Sequence, residues 1–134
     1  MPTPLLPDMV AVTRDALLAQ ATLSALVGGR IYDQLPVAPA WPLLVVDTVD
    51  ENEAEWHTGE ARVQVDIWGA GPSSANKQQV RRIAAELLAV SRDLRGAYPS
   101  GHISNSAVLT VVPAPDADTG RQRLVVDLLI HTNT

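Results

Sequence analysis

The residues best suited to chemistry are four carboxylates in one short polar stretch: Asp50, Glu51, Glu53 and Glu55. Carboxylate oxygens are ligands for hard cations, so such a cluster could hold a divalent ion. Calcium loops alternate their ligands in a fixed pattern around a glycine at the sharp turn, and residues 50–59 show neither arrangement. Three interpretations remain open: a solvated loop tip, a negatively charged contact or repulsive surface, and a metal site.

Histidine and cysteine give no clearer sign of a reactive site. The chain contains no cysteine, which excludes disulfides, thiolate nucleophiles and cysteine metal sites. The histidines, His57, His102 and His131, have no partner at the short spacings of zinc motifs. A site that brings them together by folding stays open, but surface histidines are the simpler interpretation.

Gly69-Ala70-Gly71 precedes a predicted helix and therefore invites comparison with phosphate-binding loops. Pro72 follows at once, and neither a lysine nor a third glycine comes after it, so a turn is favoured. The sequence also lacks the nucleophilic-serine, P-loop and dinucleotide motifs. We therefore predict no catalytic residues, no metal and no cofactor, and we expect no enzymatic activity.

A second predicted helix has a basic side with one leucine within it. The members of this side are Lys77, Arg81, Leu88, Arg92 and Arg95. An exposed leucine among arginines is a modest indication of a protein interface, and an ordinary solvated helix face is the alternative. Trp68 is a further candidate contact residue, because it falls on the polar face of its strand and indole offers a large area with a polar edge. Trp41, beside Pro42, is expected to pack locally.

Length and charge limit the class of protein. A chain of 134 residues with 46% hydrophobic residues can bury one core, which predicts a single domain over residues 1–134. The formal net charge of -5 is opposite to that of proteins that grip nucleic acid through its phosphates. No apolar run approaches the roughly 20 residues that cross a bilayer, and the N-terminus lacks a signal-peptide pattern. We expect synthesis in a cytoplasm and no membrane contact.

The elements that position these residues follow from hydrophobic periodicity. Asp8 is a plausible N-cap for a helix that runs to about Val27, where Gly28 and Gly29 give the left-handed freedom that ends it. Residues 28–42 are predicted to form a loop that three prolines restrict. The second helix is predicted to begin at Ser73 or Ser74 and to end near Arg95.

Four strands are predicted, at residues 43–50, 60–68, 103–112 and 121–131. The second of them alternates between an apolar and a polar face, so one face belongs to the core. The order α-β-β-α-β-β predicts an α+β two-layer sandwich, with two helices on one face of a four-stranded, mainly antiparallel sheet. A monomer would leave the other face and the edges uncovered, and assembly with copies of itself is one way to cover them.

One block near the N-terminus carries a resemblance to a known family. It reads Gly28-Gly29-Arg30-Ile31-Tyr32-Asp33-Gln34-Leu35-Pro36, follows an alanine-rich helix and leads through Trp41-Pro42 into the apolar run 43–46. This order, continued through the hairpin and the second helix, resembles the tail terminator proteins of long-tailed phages, also called tail completion or tail-to-head joining proteins. The acidic hairpin with Trp56 departs from the pattern, so its contacts are not carried over.

The resemblance implies a structural virion protein with no enzymatic role. Such proteins form a hexameric ring at the head-proximal end of the tail tube, stop tube polymerisation and present a surface to the head connector. The implied partners are copies of the chain, the tube protein and the connector, with DNA passing through the lumen without specific binding. Two rivals remain: a head-side completion or stopper protein of the neck, and, from another class, a small-molecule-binding or enzymatic α+β domain.

Overall fold

A computed structural model describes residues 8–50 and 60–132, with the backbone alone at residues 49 and 50. These residues form three helices and six strands. The helices are α1 (Met9–Leu18), α2 (Ala21–Leu26) and α3 (Ser74–Val90). The strands are β1 (Ile31–Tyr32), β2 (Leu43–Asp50), β3 (Glu60–Trp68), β4 (Gly96–Tyr98), β5 (Gly101–Pro113) and β6 (Arg123–Thr132). The prediction of an α+β fold is confirmed.

All six described strands join one sheet in the order β1-β2-β3-β6-β5-β4. β1 pairs with β2 in parallel, and the remaining pairs are antiparallel, so the sheet is mixed. The prediction of a four-stranded sheet is therefore wrong, although the four predicted strands are the four long ones. The two short strands escaped prediction because two or three residues are too few to show an alternation. β1 lies within the segment predicted to be a loop.

The single N-terminal helix predicted from the sequence is in fact two helices. The chain leaves the helical conformation at Gln20, which has φ -84° and ψ 100°, and α2 then begins in a new direction. This break lets both Leu17 and Leu23 reach the core with no exposed surface, whereas Ala19 between them is exposed. The ends agree with prediction: the carboxylate of Asp8 accepts the amide of Ala11 at 3.0 Å, and Gly28 and Gly29 have φ 59° and 72°.

The third helix begins as predicted and ends earlier. Ser73 and Asn76 cap its start reciprocally. The helix stops at Val90 and not near Arg95, because the Ser91 hydroxyl turns back to the Leu88 carbonyl at 2.7 Å. The Ser91 carbonyl in turn accepts the hydroxyl of Ser106 on β5. The end of α3 is thus tied to the sheet.

The helices cover one face of the sheet, where the core lies. Side chains alternate strictly on β3 and β6, and every second residue is buried. The buried residues of these strands are Ala61, Val63, Val65, Ile67, Leu124, Val126, Leu128 and Ile130. They form one cluster with Leu17 of α1, Leu23 of α2 and Leu87 of α3. Burying each leucine contributes about 1.5–3 kcal/mol, so this face holds the two layers together.

The sheet curls around α1, which contacts strands near both edges. At one end of this contact, the Ser100 hydroxyl donates a hydrogen bond to the Asp15 carboxylate. A Cβ on Gly101 would lie 3.5 Å from a methyl group of Val12, so the backbone approaches the helix closely there. Among the described helices, none is long and apolar enough to cross a membrane. Among residues 8–50 and 60–132, nothing forms a covering layer over the opposite sheet face or the outer sides of the edge strands.

Candidate assembly surfaces

One exposed surface lies between the flank of α3 and the outer side of β5. The helix is tied to the sheet at both ends. At its start, the side chain of Gln122, just before β6, donates to the Pro72 carbonyl at 3.1 Å, and at its end Ser106 of β5 bonds to Ser91. The residues between these points define the α3–β5 surface: Lys77, Arg81, Leu88, Arg92, Ala107, Val108, Leu109 and Val111.

The outer side of β5 is an open apolar edge. β4 pairs only with residues 101–103, so residues 104–113 have no outer neighbour among the described strands. This segment carries no charged residue, and Leu109, Val111 and Val112 are 44%, 40% and 52% exposed. Exposed strands of folded proteins are usually protected by charges or prolines, because an open apolar edge pairs readily with another chain. The edge of β5 therefore has the character of a contact surface.

The flank of α3 adds positive charge to this surface. Lys77, Arg81 and Leu88 are exposed and share one side of the helix, with Leu88 at 40% exposure. Arg92 is exposed just past the end of the helix and lines the same pocket as Leu88. Glu86, the acidic residue within α3, points to the other side. Arg95 does not belong to this helical side, because it follows the end of the helix and precedes β4, where it is exposed.

A shallow pocket of about 280 Å³ opens between the end of α3 and β5. Its walls are Leu88, Ser91, Arg92, Ser106, Ala107 and Val108. The hydroxyls of both serines already donate to carbonyls within the protein. The hydroxyl protons of the pocket are therefore already used, and Leu88, Ala107 and Val108 give it apolar walls that an aliphatic side chain can contact, with Arg92 at the side.

A second exposed surface lies at the opposite edge of the sheet and consists of residues 33–42, which we call the proline loop. Because β1 and β2 are parallel, this loop must lead back to the start of β2 and so lies at the β1 edge. Leu35 and Val37 are 48% and 105% exposed. The acidic residues Asp33 and Asp47 are exposed at this edge as well.

The block that carries the family resemblance fixes the base of the proline loop. Nε of Arg30 donates to the Pro42 carbonyl at 2.8 Å, and the amide of Leu44 donates to the Arg30 carbonyl at 2.9 Å. Nε of Arg14 donates to the Ile31 carbonyl at 2.7 Å, which ties the same segment to α1. The residues of this block therefore have a structural role, and the loop projects from a rigid base.

Two tryptophans and two arginines pack together where the proline loop meets the sheet. The rings of Trp41 and Trp68 are 6.0 Å apart between centres and inclined by 59°. The guanidinium of Arg121 lies 3.9 Å from the Trp41 centre, and that of Arg123 lies 4.8 Å from the Trp68 centre. Trp41 was expected to pack locally, and its contacts with Trp68 and Arg121 in fact join it to distant parts of the chain. Trp68 is half-buried in this cluster, which leaves part of its ring for contact with a partner.

The sheet face opposite the helices carries paired polar residues on β3 and β6, with Val125 and Leu129 between them. Arg62 meets Asp127 at 3.2 Å, and Nε2 of His131 lies 3.0 Å from Glu60. Burial raises the pKa of Asp66, even though Gln64 donates to it at 2.7 Å and Arg123 lies 3.6 Å away. This face offers charge to solvent or to a partner, and its carboxylates are already engaged.

Most of the predicted acidic residues and one histidine cannot be assigned to a site, because they lie outside the described residues. Glu51, Glu53, Glu55 and His57 lie outside the described residues, and Asp50 is seen only as the end of β2. Residues 8–50 and 60–132 contain no cluster of three or more acidic or histidine side chains that could hold a metal ion.

The segment Gly69-Ala70-Gly71 is a turn, as favoured from the sequence. The Gly69 amide donates to the Gln122 carbonyl at 2.9 Å, and the Ala70 amide donates to the Gln79 side chain at 2.9 Å. These two backbone donors are already used inside the protein, so they are not directed at a phosphate.

The sequence did not draw attention to Leu35, Val37, Leu109 and Val111. The sequence nevertheless carried a signal for the pair in the proline loop and for the pair on β5. Apolar residues between prolines are unusual in a solvated loop, and the run Val108-Leu109-Thr110-Val111-Val112 breaks the alternation of a strand with one wet face.

Comparison with known proteins identifies the family of the chain. A family model described as tail completion protein gp17 matches residues 11–132. The chain belongs to the tail completion protein gp17 family. Membership of this tail completion family supports a structural role in a virion tail.

A solved structure supports the fold of this tail completion family member. A chain described as "Virion of native gene transfer agent (GTA) particle" is similar, with a TM-score of 0.62 and 19% sequence identity. The similarity covers 95% of this chain and 99% of that chain. At this identity it shows a shared fold. A search of curated proteins found no match.

Proposed function

We propose that the protein forms a hexameric ring that caps the head-proximal end of the tail tube. In this role it stops tube polymerisation and provides the joint to the head connector. The observation that supports the proposal best is the presence of two unlike exposed surfaces at opposite edges of one sheet, the proline loop and the α3–β5 surface.

Two unlike surfaces favour a ring over a simple dimer. A contact between different patches of identical subunits is heterologous, and it generates a closed ring when the rotation between neighbours closes. A ring of this kind has two different end faces, one for the tube protein and one for the connector. The loops at the two ends of the sheet can serve these faces without changing the core.

The charge of the chain fits the passage of DNA. With a net charge of -5, a lumen of this protein would repel phosphates and leave DNA free to move. We propose that Asp50, Glu51, Glu53 and Glu55 line this path. The basic residues Lys77, Arg81 and Arg92 lie on the α3–β5 surface, where we propose that they face the neighbouring subunit and not DNA.

Tail lengths in particles that lack the protein test this function. If the protein is a terminator, tubes made without it should be longer than normal and not joined to heads, because nothing stops polymerisation. Supplying the wild-type chain should restore normal lengths, with a ring visible by negative stain at the head-proximal end. Tubes of normal length together with heads that lose DNA would instead indicate a head-side stopper. A monomer that binds a small molecule and leaves tails unchanged would contradict a structural role.

A further inference from the structure

The large exposed hydrophobic residues of the described chain fall into two groups. Leu35 and Val37 lie in the proline loop, at the β1 edge of the sheet. Leu88, Leu109, Val111 and Val112 lie beside or on β5, near the opposite edge. Exposed apolar groups that gather in two places, and not singly over the surface, indicate contact sites. The two groups also differ in shape, since one is a projecting loop and the other contains a pocket.

The proline loop has the properties of an inserting element. Val37 is 105% exposed and so stands clear of its own subunit. Pro36 and Pro39 on either side of it restrict the backbone, and the bond from Arg30 to Pro42 holds the base. A loop that is already rigid loses little conformational entropy when it docks, so its apolar side chains contribute more of their burial to binding.

The α3–β5 surface has the properties of a receiving element. The pocket between Leu88 and Val108 is open to solvent and its two hydroxyl groups donate within the protein. An aliphatic side chain can therefore enter without leaving a buried hydroxyl unpaired. The open edge of β5 continues this apolar strip beyond the pocket through Leu109 and Val111.

The charges around the two surfaces are complementary. Asp33 and Asp47 are exposed at the proline-loop edge, whereas Lys77, Arg81 and Arg92 are exposed on the α3–β5 surface. Complementary charge at the rim of an apolar contact fixes its register and disfavours wrong partners. A symmetric contact of two proline loops would instead place Asp33 and Asp47 near their own copies. The occupant that matches the α3–β5 surface is thus a second copy of this chain, arranged head to tail.

We infer that, in the ring proposed above, the proline loop of each subunit docks on the α3–β5 surface of the next, with Val37 entering the pocket beside Leu88. Each subunit then contributes its proline loop to one neighbour and its α3–β5 surface to the other. The contact buries Leu35 and Val37 of one subunit against Leu88, Leu109 and Val111 of the next, and it leaves the loops at the ends of the sheet free for the tube and the connector.

Cross-linking in the natural cysteine-free chain tests this contact. The double variant Val37→Cys/Ala107→Cys places one thiol on the loop tip and one on the pocket wall, both at exposed positions. Tails from particles carrying this variant are treated with a short bismaleimide, and rings are counted by negative stain in the same samples. The expected product is a ladder of linked subunits from dimer to closed ring. A mixture of the two single variants should give dimers only, because each subunit then has one thiol.

The matched control is Val37→Cys/Thr22→Cys, which moves the second thiol to an exposed position on α2 and should give no ladder. Rings without a ladder, or dimers from Val37→Cys alone, would overturn the inference while leaving the ring function intact. Absence of rings from wild-type tails would overturn both.

If the thiol variant fails to assemble, Val37→Asp gives a second measure. Its circular dichroism should be unchanged and its number of rings should fall by about tenfold. Ala40→Asp in the same loop should form as many rings as the wild type. Equal ring numbers in the two variants would contradict the docking.

Discussion

The guanidinium carbon of Arg121 lies 3.9 Å from the centre of the Trp41 ring, and the same side chain donates a hydrogen bond to the Gly69 carbonyl at 3.1 Å. Trp41 ends the proline loop, Arg121 precedes β6 and Gly69 follows β3. One arginine thus joins three segments that are distant in the sequence. The position of the proline loop depends on this contact as well as on its own prolines.

Replacement of Arg121 tests how firmly the proline loop is held. Arg121→Ala removes a cation–π contact and a hydrogen bond, which together contribute about 1–2 kcal/mol to the free energy of unfolding. Arg121→Lys should lose less, since it keeps the positive charge near Trp41. Urea unfolding measures both, with Arg82→Ala on α3 as a control for removal of an exposed arginine. Equal losses for Arg121→Ala and Arg82→Ala would show that the contact does not stabilise the loop.

Leu88→Asp is expected to weaken assembly and leave the subunit folded. Leu88 is 40% exposed and lies beside the fully buried Leu87, so a carboxylate at this position stays in water in the monomer but would be buried in the proposed contact. Ala89→Asp adds the same charge one residue away, on an exposed side of α3, and should assemble normally. Circular dichroism reports the fold, and light scattering or ring counts on tails report assembly. Unfolding of Leu88→Asp would mean that this residue belongs to the core.

The two glycines that end α2 allow a matched comparison. Both have positive φ, so alanine at either position is strained by about 1–2 kcal/mol. A Cβ on Gly29 meets nothing within 4 Å, whereas a Cβ on Gly28 would lie 2.6 Å from Nη1 of Arg30. Gly28→Ala should therefore destabilise more than Gly29→Ala, because it also moves the arginine that bonds to Pro42. Equal urea midpoints for the two variants would indicate that Arg30 adapts without loss.

The raised pKa of Asp66 should make the stability of the fold depend on pH in a specific way. Burial raises its pKa above the ordinary value of 3.8, so the folded chain holds this proton more tightly than the unfolded chain. The charge of Asp66 therefore lowers stability above the raised pKa, and this effect disappears as the pH falls through the raised pKa toward 3.8.

The variant Asp66→Asn tests this dependence. Asparagine keeps an acceptor for Gln64 and removes the charge, so the variant should match or exceed the wild type at pH 7 in urea unfolding. The difference should shrink as the pH approaches 4, because the wild-type carboxyl is then protonated as well. A less stable variant at pH 7 would mean that the Arg123 ion pair, 3.6 Å long, outweighs the effect of burial.

The acidic hairpin is tested by charge reversal. If Asp50, Glu51, Glu53 and Glu55 line the DNA path, lysine at these four positions should slow or trap DNA during ejection, since each added positive charge invites phosphate contacts. Particles should still assemble. Asparagine and glutamine at the same positions are the control, because they remove the negative charge without adding a positive one. Normal DNA ejection from particles carrying the lysine variant would contradict the placement of the hairpin in the lumen.

Structural features that depend on residues close together in the chain were predicted correctly from the sequence. Strict alternation placed β3 at Glu60–Trp68, and the capping preferences of Asp8 and Ser73 placed two helix starts. These features depend on side-chain direction and on backbone donors within a few residues. The exposure of Leu88 followed from helical phase in the same way.

The sequence by itself determined the fold class, the four long strands, the positive φ of Gly28 and Gly29 and the resemblance to tail completion proteins. Only the tertiary structure decided the break at Gln20, the parallel pairing of β1, the end of α3 and the meeting of Leu88 with Val108. Each of these depends on contacts between residues far apart in the chain, where core packing overrides local propensity. A periodic pattern shows which face of an element is apolar, but the neighbour that covers that face is chosen by the folded chain as a whole.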